Sequence, residues 1–92
     1  MKYRSRSDIT TVILESTRSG ASKTKIMYNA YLSYSQLLEY MKYLQQNDLL
    51  KYEEGTQLYK PTEKGLKFLN MSNELNEMVI MTDSKKYNIV ES

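Results

Sequence analysis

A four-residue break between two helical patterns, Ala30-Tyr31-Leu32-Ser33, constrains the fold of this chain more than any other feature. Helical patterns precede and follow this break, which leaves room for no more than a tight turn. Ser22 can cap the helix before it. Ser33 and Gln36 have the spacing of a capping box, in which the two side chains satisfy backbone N–H groups at a helix start. We therefore predict a short helix, a tight turn and a second helix that runs from Ser33 to about Gln46.

A further helix is predicted ahead of this pair. Ser7 or Asp8 can cap its start. Its apolar stripe consists of Ile9, Val12 and Ile13. Gly20 is expected to end it, because glycine adopts the left-handed conformation of a helix terminus without a steric penalty. Residues 1–6 are expected to form an irregular basic arm.

A hairpin is predicted after the third helix. Asn47 is expected to end that helix, since asparagine tolerates the left-handed conformation. Two β-forming runs then flank Glu54-Gly55-Thr56, where the glycine can supply the positive φ of the turn. Pro61 is expected to end the second strand.

A long fourth helix completes the predicted chain. Thr62 can cap it, and its apolar pattern continues to about Met81. Residues 82–92 lack a clear period and are predicted to be a flexible tail. Three helices, a hairpin and a helix, with a tight turn before the third helix, are the order of a winged helix-turn-helix domain. The expected fold is mainly α with a two-stranded β-hairpin, in which residues 7–61 form the winged domain and residues 62–81 a dimerisation helix.

The composition argues against several classes of protein. The chain has no cysteine and no histidine, so it lacks disulfides, thiolate metal sites and the commonest general base. Its longest apolar run, residues 78–81, is far shorter than the roughly 20 residues of a membrane span. The stretch "SGASKTK" lacks the spacing of a phosphate loop, and no strand precedes it. We expect a cytoplasmic, nucleoid-associated protein that is not an enzyme and that holds no metal or cofactor.

Three segments resemble a known family: "SKTKIMY", "LSYSQLLEYMKYL" and "YEEGTQLYKPTEKG". They are similar to the small archaeal winged-helix proteins of the ten-kilodalton Sulfolobus DNA-binding type and their relatives in ammonia-oxidising archaea. The resemblance implies that the domain binds double-stranded DNA and that the last helix pairs with its copy in an antiparallel coiled coil. Relatives often have glycine at the position of Asp48, and Asn47 is expected to make the turn here instead.

The third helix has two faces when successive residues are placed about 100° apart. The inward stripe consists of Leu37, Tyr40, Met41 and Leu44. The outward face consists of Ser35, Gln36, Glu39, Lys42, Tyr43 and Gln46. Glutamine, lysine and serine can contact bases or phosphates in a major groove, whereas Glu39 accepts only from cytosine and repels phosphate. An exposed helix with no partner has the same pattern; the helix-turn-helix before it and the wing after it favour DNA. We expect Tyr34 and Tyr40 to be half-buried and Tyr43 to contact DNA.

Basic residues elsewhere support this interpretation. The net charge is +2 overall, with +4 in residues 1–51 and −2 in residues 52–92. Lys23 and Lys25 begin the second helix, which crosses the phosphate backbone in a helix-turn-helix; a solvated first turn with no partner is the alternative. The arm residues Lys2, Arg4 and Arg6 can follow a phosphate strand or enter a minor groove, or belong to a disordered tail. The wing is acidic, and only Gly55, Thr56 and Gln57 are expected to approach DNA.

The last helix has the apolar spacing of a coiled coil. Its predicted dimer seam consists of Phe68, Met71, Leu75 and Met78, with 3-4-3 spacing. Leu66 and Leu69 form a second stripe that is expected to face the domain. A helix folded wholly onto its own core is the alternative.

The sequence therefore predicts a homodimer that binds double-stranded DNA and regulates transcription. No small-molecule ligand or membrane partner is evident in it. Two alternatives remain at this point: a chromatin-like architectural DNA-binding protein, and a winged-helix module that binds other proteins and no DNA.

Overall fold

The computed structural model of the protein describes the backbone of residues 5–91 and the side chains of residues 5–78. Its elements follow the predicted order. They are α1 (Arg6–Ser16), α2 (Lys23–Ala30), α3 (Tyr34–Gln46), β1 (Leu50–Glu53), β2 (Leu58–Pro61) and α4 (Glu63–Glu91). The predicted fold class, mainly α with a two-stranded antiparallel hairpin, is confirmed.

The turn between α2 and α3 forms as the sequence predicts. The hydroxyl of Ser22 accepts a hydrogen bond from the backbone N–H of Lys25 at 3.2 Å and so caps α2. Tyr31 ends that helix in the left-handed conformation, at φ 53° and ψ 49°. Ser33 and Gln36 form the capping box, because the N–H of Ser33 donates to Gln36 Oε1 at 2.9 Å and the N–H of Gln36 donates to Ser33 Oγ at 3.2 Å.

The start of α1 differs from the prediction. A capping box joins Ser5 and Asp8: the Ser5 hydroxyl accepts from the Asp8 N–H at 3.0 Å, and the Asp8 carboxylate accepts from the Ser5 N–H at 3.1 Å. Asp8 is therefore the third residue of the helix and not its cap, and Ser7 is also inside the helix. Arg6 consequently belongs to the first turn of α1 and not to an irregular arm.

The end of α1 also lies earlier than predicted. The helix ends at Ser16, with Thr17 as its C-cap, and the Thr17 hydroxyl donates to the carbonyl of Leu14 at 3.0 Å. Gly20 does have a positive φ of 97°, but it lies in the loop after the helix. This conformation leads the chain into Ala21, whose N–H and carbonyl exchange hydrogen bonds with Tyr59 of β2.

The core lies where α1, α2, α3 and the start of α4 meet the hairpin. Its largest fully buried side chains are Ile13, Leu14, Thr17, Ile26, Leu37, Leu44 and Leu69. Three residues of the predicted inward stripe of α3 (Leu37, Met41 and Leu44) are buried, and the fourth, Tyr40, is half-buried at the edge of this core. The angular assignment of the inward stripe is therefore confirmed, and it fixes which side of α3 faces away from the protein.

Two turns use different residues from the expected ones. Asp48, at φ 59°, takes the left-handed conformation after α3, whereas Asn47 has φ −92°. In the hairpin, the left-handed residue is Gln57, at φ 59°, and Gly55 has no positive φ. Aspartate tolerates this region as asparagine does, because a short polar side chain can form local hydrogen bonds there. The two strands pair in antiparallel register, from Leu50 opposite Pro61 to Glu53 opposite Leu58.

The segment "TEKG", residues 62–65, connects the start of α4 to the turn after α3 through hydrogen bonds. Thr62 caps α4, because its hydroxyl accepts the N–H of Gly65 at 3.0 Å, and the same hydroxyl donates to the carbonyl of Asp48 at 2.6 Å. The ammonium group of Lys64 donates to the carbonyl of Asn47 at 3.0 Å. These bonds fix the direction in which α4 leaves the domain relative to α3.

Gly65 is required at this joint for a steric reason. A Cβ atom at residue 65 would collide with the carbonyl oxygen of Leu49. We expect Gly65→Ala to lower the free energy of unfolding by about 1–3 kcal/mol, because the backbone must shift to admit the methyl group. Urea denaturation followed by circular dichroism measures the free energy of unfolding of the variant and of the wild type.

Gly55→Ala is the matched control. A Cβ at residue 55 meets no atom within 4 Å, and the backbone there has no positive φ. Its free energy of unfolding should stay within about 1 kcal/mol of the wild-type value. Equal stability of Gly65→Ala and the wild type would contradict the close packing at Leu49.

The long helix α4 projects beyond the globular part. Its first turns pack against α1 and β2, whereas the helix as a whole has 29 residues and a length of about 43 Å. The molecule is accordingly elongated, at 57 × 27 × 20 Å. The helix was predicted to continue to about Met81; it extends to Glu91, and the sequence after Gly65 contains no glycine or proline to end it earlier.

Candidate nucleic-acid interface

The surface of α3 that faces away from the core is polar and accessible. Five of its six predicted outward residues are exposed: Ser35, Gln36, Glu39, Lys42 and Gln46. The helix carries both of its charges, Glu39 and Lys42, on this surface. Neither side chain forms an ion pair with another residue in the described part of the chain. The surface therefore presents hydrogen-bonding groups that internal contacts do not consume.

The first turn of α3 is partly occupied by its own capping contacts. Gln36 uses its side-chain oxygen to accept from Ser33, and the hydroxyls of Ser33 and Ser35 lie 3.3 Å apart. The amide NH₂ of Gln36 remains free to donate. Gln36 can therefore contact a base acceptor, but the bidentate pairing that glutamine forms with adenine would require it to give up its capping bond.

Tyr43 is placed differently from the other outward residues. It is half-buried and packs against the core. The guanidinium carbon of Arg6 lies 5.0 Å from the centroid of its ring and 5.8 Å from the centroid of the Tyr40 ring. Arg6, Glu39, Tyr40 and Tyr43 together line a small surface pocket. The sequence placed Arg6 in an arm and did not connect it with α3, because the capping box at Ser5 was not recognised.

Tyr34 was predicted to be half-buried, and this prediction is wrong. Its side chain is 61% exposed, because it begins α3 at the margin of the domain. Tyr28 at the end of α2, Tyr31 in the turn and Leu38 on α3 are also exposed. We call these four residues the turn patch. The spacing of three residues between successive tyrosines is the signal that sequence reasoning missed.

The basic residues of α2 lie at its exposed start. Lys23 and Lys25 are in the first turn, and both side chains are exposed. No acidic residue lies in that turn. Backbone N–H groups and the helix dipole make such a helix start favourable for an anion, and the two ammonium groups add to this effect. Lys2 and Arg4, also predicted to bind DNA, lie outside the described residues.

Local contacts engage one of the two acidic side chains of the wing, Glu53. The hydroxyl of Thr56 donates to Glu53 Oε1 at 3.0 Å, and the ammonium group of Lys60 lies 3.4 Å from the same oxygen. The Thr56 hydrogen bond and, after it, Lys60 lower the pKa of the Glu53 carboxyl from its ordinary value. Thr56 is therefore engaged within the wing, whereas Gly55 and Gln57 are exposed at its tip.

The predicted seam on α4 divides into a covered part and an open part. Phe68 packs against the core of its own domain. Met71, Leu75 and Met78 are 63%, 60% and 64% exposed. Leu69 faces the domain as predicted, but Leu66 is exposed, so the predicted second stripe is only half correct. Three large apolar side chains thus form a continuous exposed row along one side of α4.

Among the described side chains, no group of three or more acidic residues is arranged to hold a metal ion. Within the same part of the chain, no helix combines the length and the apolar character needed to cross a membrane.

A helix-turn-helix whose second helix presents a polar face, followed by a two-stranded wing and a long helix, defines the winged-helix class of domain. Residues 3–80 of this chain match the sequence model of a protein family that is described as winged helix-turn-helix. The protein belongs to the winged helix-turn-helix family.

Two solved structures share this fold. One is the crystal structure of Sso10a-2, a DNA-binding protein from Sulfolobus solfataricus, with a TM-score of 0.78 and 22% identity over 96% of this chain and 95% of that chain. The other is wild-type ZitR of Lactococcus lactis in complex with DNA, with a TM-score of 0.68 and 18% identity over 96% of this chain and 64% of that chain. No curated protein matches the sequence significantly.

Proposed function

We propose that this protein binds double-stranded DNA as a homodimer and regulates transcription. The observation that carries the proposal is the exposed polar face of α3, which follows directly after the exposed basic start of α2. These are the two parts of a helix-turn-helix that meet the bases and the phosphates. Both similar structures concern DNA binding: Sso10a-2 is described as a DNA-binding protein, and ZitR was solved in complex with DNA.

In this proposal α3 enters the major groove. Lys42 and Gln46 are its free polar contacts, and Gln36 contributes its amide NH₂. Ser35 contributes a hydroxyl that also lies 3.3 Å from the hydroxyl of Ser33. Lys23 and Lys25 lie against the phosphate backbone, where the start of α2 strengthens their attraction. The basic N-terminal residues Lys2 and Arg4 add phosphate or minor-groove contacts, and Gly55 and Gln57 bring the wing tip close to the DNA.

The homodimer is proposed to form through α4. Met71, Leu75 and Met78 lie on one side of the helix, at the spacing of a coiled-coil seam, and are exposed in the single chain. A second copy of α4 would cover this row, because a twofold axis places the same row of each helix against the other. The resemblance to small archaeal winged-helix proteins supports the same arrangement.

Selection of bound sites from a random DNA pool tests the regulatory role. A regulator should enrich a motif with two related half-sites, because each protomer of the dimer contributes one α3. Enrichment of no motif, with DNA binding intact, would instead support the alternative of a chromatin-like architectural protein. That result would exclude sequence-specific regulation.

A protein-binding module is the second candidate function, and the turn patch favours it. Tyrosine is enriched at protein interfaces, and Tyr28, Tyr31, Tyr34 and Leu38 expose a largely uncharged surface beside α3. Glu39, at the centre of the outward face, also disfavours phosphate. The two candidates differ in their response to salt, since DNA binding depends on the release of counterions and binding to a largely uncharged tyrosine surface does not.

A further inference from the structure

The contact between Arg6 and the two tyrosines of α3 joins the start of α1 to the candidate DNA-binding face. The Arg6 guanidinium lies within the distance at which the electron-rich face of an aromatic ring attracts a cation, at 5.0 Å from Tyr43 and 5.8 Å from Tyr40. Helical geometry at the start of α1, fixed by the capping box at Ser5, directs the side chain toward α3.

This contact leaves the hydrogen-bonding edge of Arg6 available. The contact is with two aromatic rings, whose faces attract the cation without taking up its N–H groups in conventional hydrogen bonds. No described residue accepts a hydrogen bond or forms an ion pair with Arg6, and its side chain is exposed. The group is therefore held in place and still has its donors free.

The position of Arg6 also changes the charge of the α3 face. Glu39 and Lys42 cancel one another on the helix itself. Arg6 shares a surface pocket with Glu39, so it adds a positive charge next to the acid that would otherwise repel phosphate. With Arg6 included, the face carries a net charge of +1.

We infer that Arg6 contacts DNA through its guanidinium fork and that Tyr43, with Tyr40, is a positioning residue that holds it. The fork matches two acceptor atoms side by side, as on a phosphate or on the edge of guanine. Holding the side chain against the rings before DNA arrives reduces the conformational entropy lost on binding. Tyr43 then acts through its ring and not through its hydroxyl. This inference rests on the proposed DNA binding.

Four single variants and one double variant test the pair, by fluorescence anisotropy with a random-sequence duplex. Arg6→Ala should weaken binding about tenfold, and Arg6→Lys about threefold, because lysine keeps the charge but not the planar fork. Tyr43→Phe should stay within about twofold of the wild type, and Tyr43→Leu should weaken binding about fivefold, because only the ring is needed. The double variant Arg6→Ala, Tyr43→Leu should bind no more weakly than Arg6→Ala alone.

The kind of DNA acceptor is distinguished by two further measurements. A phosphate contact predicts that Arg6→Ala lowers affinity equally for all sequences and reduces the salt slope by about two, which is about one for each protomer of the proposed dimer. A guanine contact predicts a different result: DNA sites selected from a random pool by the wild type should share a guanine at one position, and sites selected by Arg6→Ala should not. Thermal denaturation of each variant excludes unfolding as the cause, and Tyr43→Phe remains informative if Tyr43→Leu is unstable.

Four results would overturn the inference. A loss with Tyr43→Phe equal to that with Tyr43→Leu would make the hydroxyl the DNA contact. Additive losses in the double variant would mean that the two residues act separately. Wild-type affinity in Arg6→Ala would remove Arg6 from the interface while leaving the proposed function intact, whereas absence of DNA binding by the wild type would overturn the proposed function and this inference together.

Discussion

Replacing Leu75 by glutamate is expected to turn the proposed dimer into a monomer. Leu75 is the middle member of the exposed apolar row of α4, so a seam between two copies would bury it near its centre. Twofold symmetry places two new carboxylates in one interface, and each unpaired buried charge costs several kcal/mol. The dimer dissociation constant should rise at least about 100-fold, a loss of about 3 kcal/mol. Light scattering on a size-exclusion column measures the change in mass.

Asn73→Glu is the matched control for this change. It adds the same charge two residues away, on the side of α4 opposite to the row, because successive residues of a helix are about 100° apart. It should remain dimeric. A monomeric wild type, or a Leu75→Glu variant that remains dimeric, would contradict the proposed seam.

Replacing Lys42 by glutamate is expected to abolish most of the DNA affinity. Lys42 is the single cation on α3, and its replacement leaves two acids, at 39 and 42, on the outward face. The variant loses a charge-assisted contact and gains repulsion from the phosphates. Affinity for a random-sequence duplex should fall at least about tenfold, and the salt slope should decrease by about two, which is about one for each protomer of the proposed dimer. Fluorescence anisotropy at several salt concentrations gives both quantities.

Lys67→Glu makes the same change of net charge away from α3. Lys67 is exposed on α4, so its replacement alters the overall charge without altering the proposed groove contacts. Affinity should stay within about threefold of the wild type, because distant charges are screened at physiological salt. Equal losses in the two variants would mean that overall charge, and not the face of α3, determines binding.

The order of elements and the faces of α3 could be predicted because each depends on local chemistry. The capping box of Ser33 and Gln36 fixes where α3 begins, and the spacing of Leu37, Met41 and Leu44 fixes which side is buried. Both are properties of a few neighbouring residues. The same rule applied to α1 selected Ser7 or Asp8 as the cap, although Ser5 with Asp8 satisfies the pattern better, and this placed Arg6 outside the helix.

The turns were predicted less well because several residues can adopt a left-handed conformation when neighbouring contacts require it. Asp48 does so because its carbonyl accepts the hydroxyl of Thr62, fourteen residues further along the chain. In the hairpin, the N–H of Gln57 donates to the carbonyl of Glu53 at 2.7 Å, which closes the turn around residues 54–56 and leaves Gln57 as its left-handed residue. Sequence preferences favour glycine or asparagine at such positions. They do not show which hydrogen bonds will form in the fold and so which residue takes the left-handed conformation.

The exposure of the candidate site's polar side chains could be predicted from the sequence, whereas the exposure of two of its tyrosines could not. Ser35, Glu39 and Lys42 are exposed as their helical angles indicate. Tyr34 was expected to be half-buried and is exposed, whereas Tyr43 was expected to face outward and is half-buried. Burial of a large side chain depends on which other element covers it. The start of α1 covers Tyr43, whereas the side chain of Tyr34 stays accessible at the margin of the domain.

The most direct test of DNA binding is the affinity of the wild-type protein for a random-sequence duplex as a function of salt. Lys23 and Lys25 of two protomers would by themselves make about four phosphate contacts, so affinity should fall by at least about 100-fold between about 50 and about 200 mM salt. Affinity that does not change with salt, or no binding at micromolar protein, would contradict the account and favour the protein-binding module.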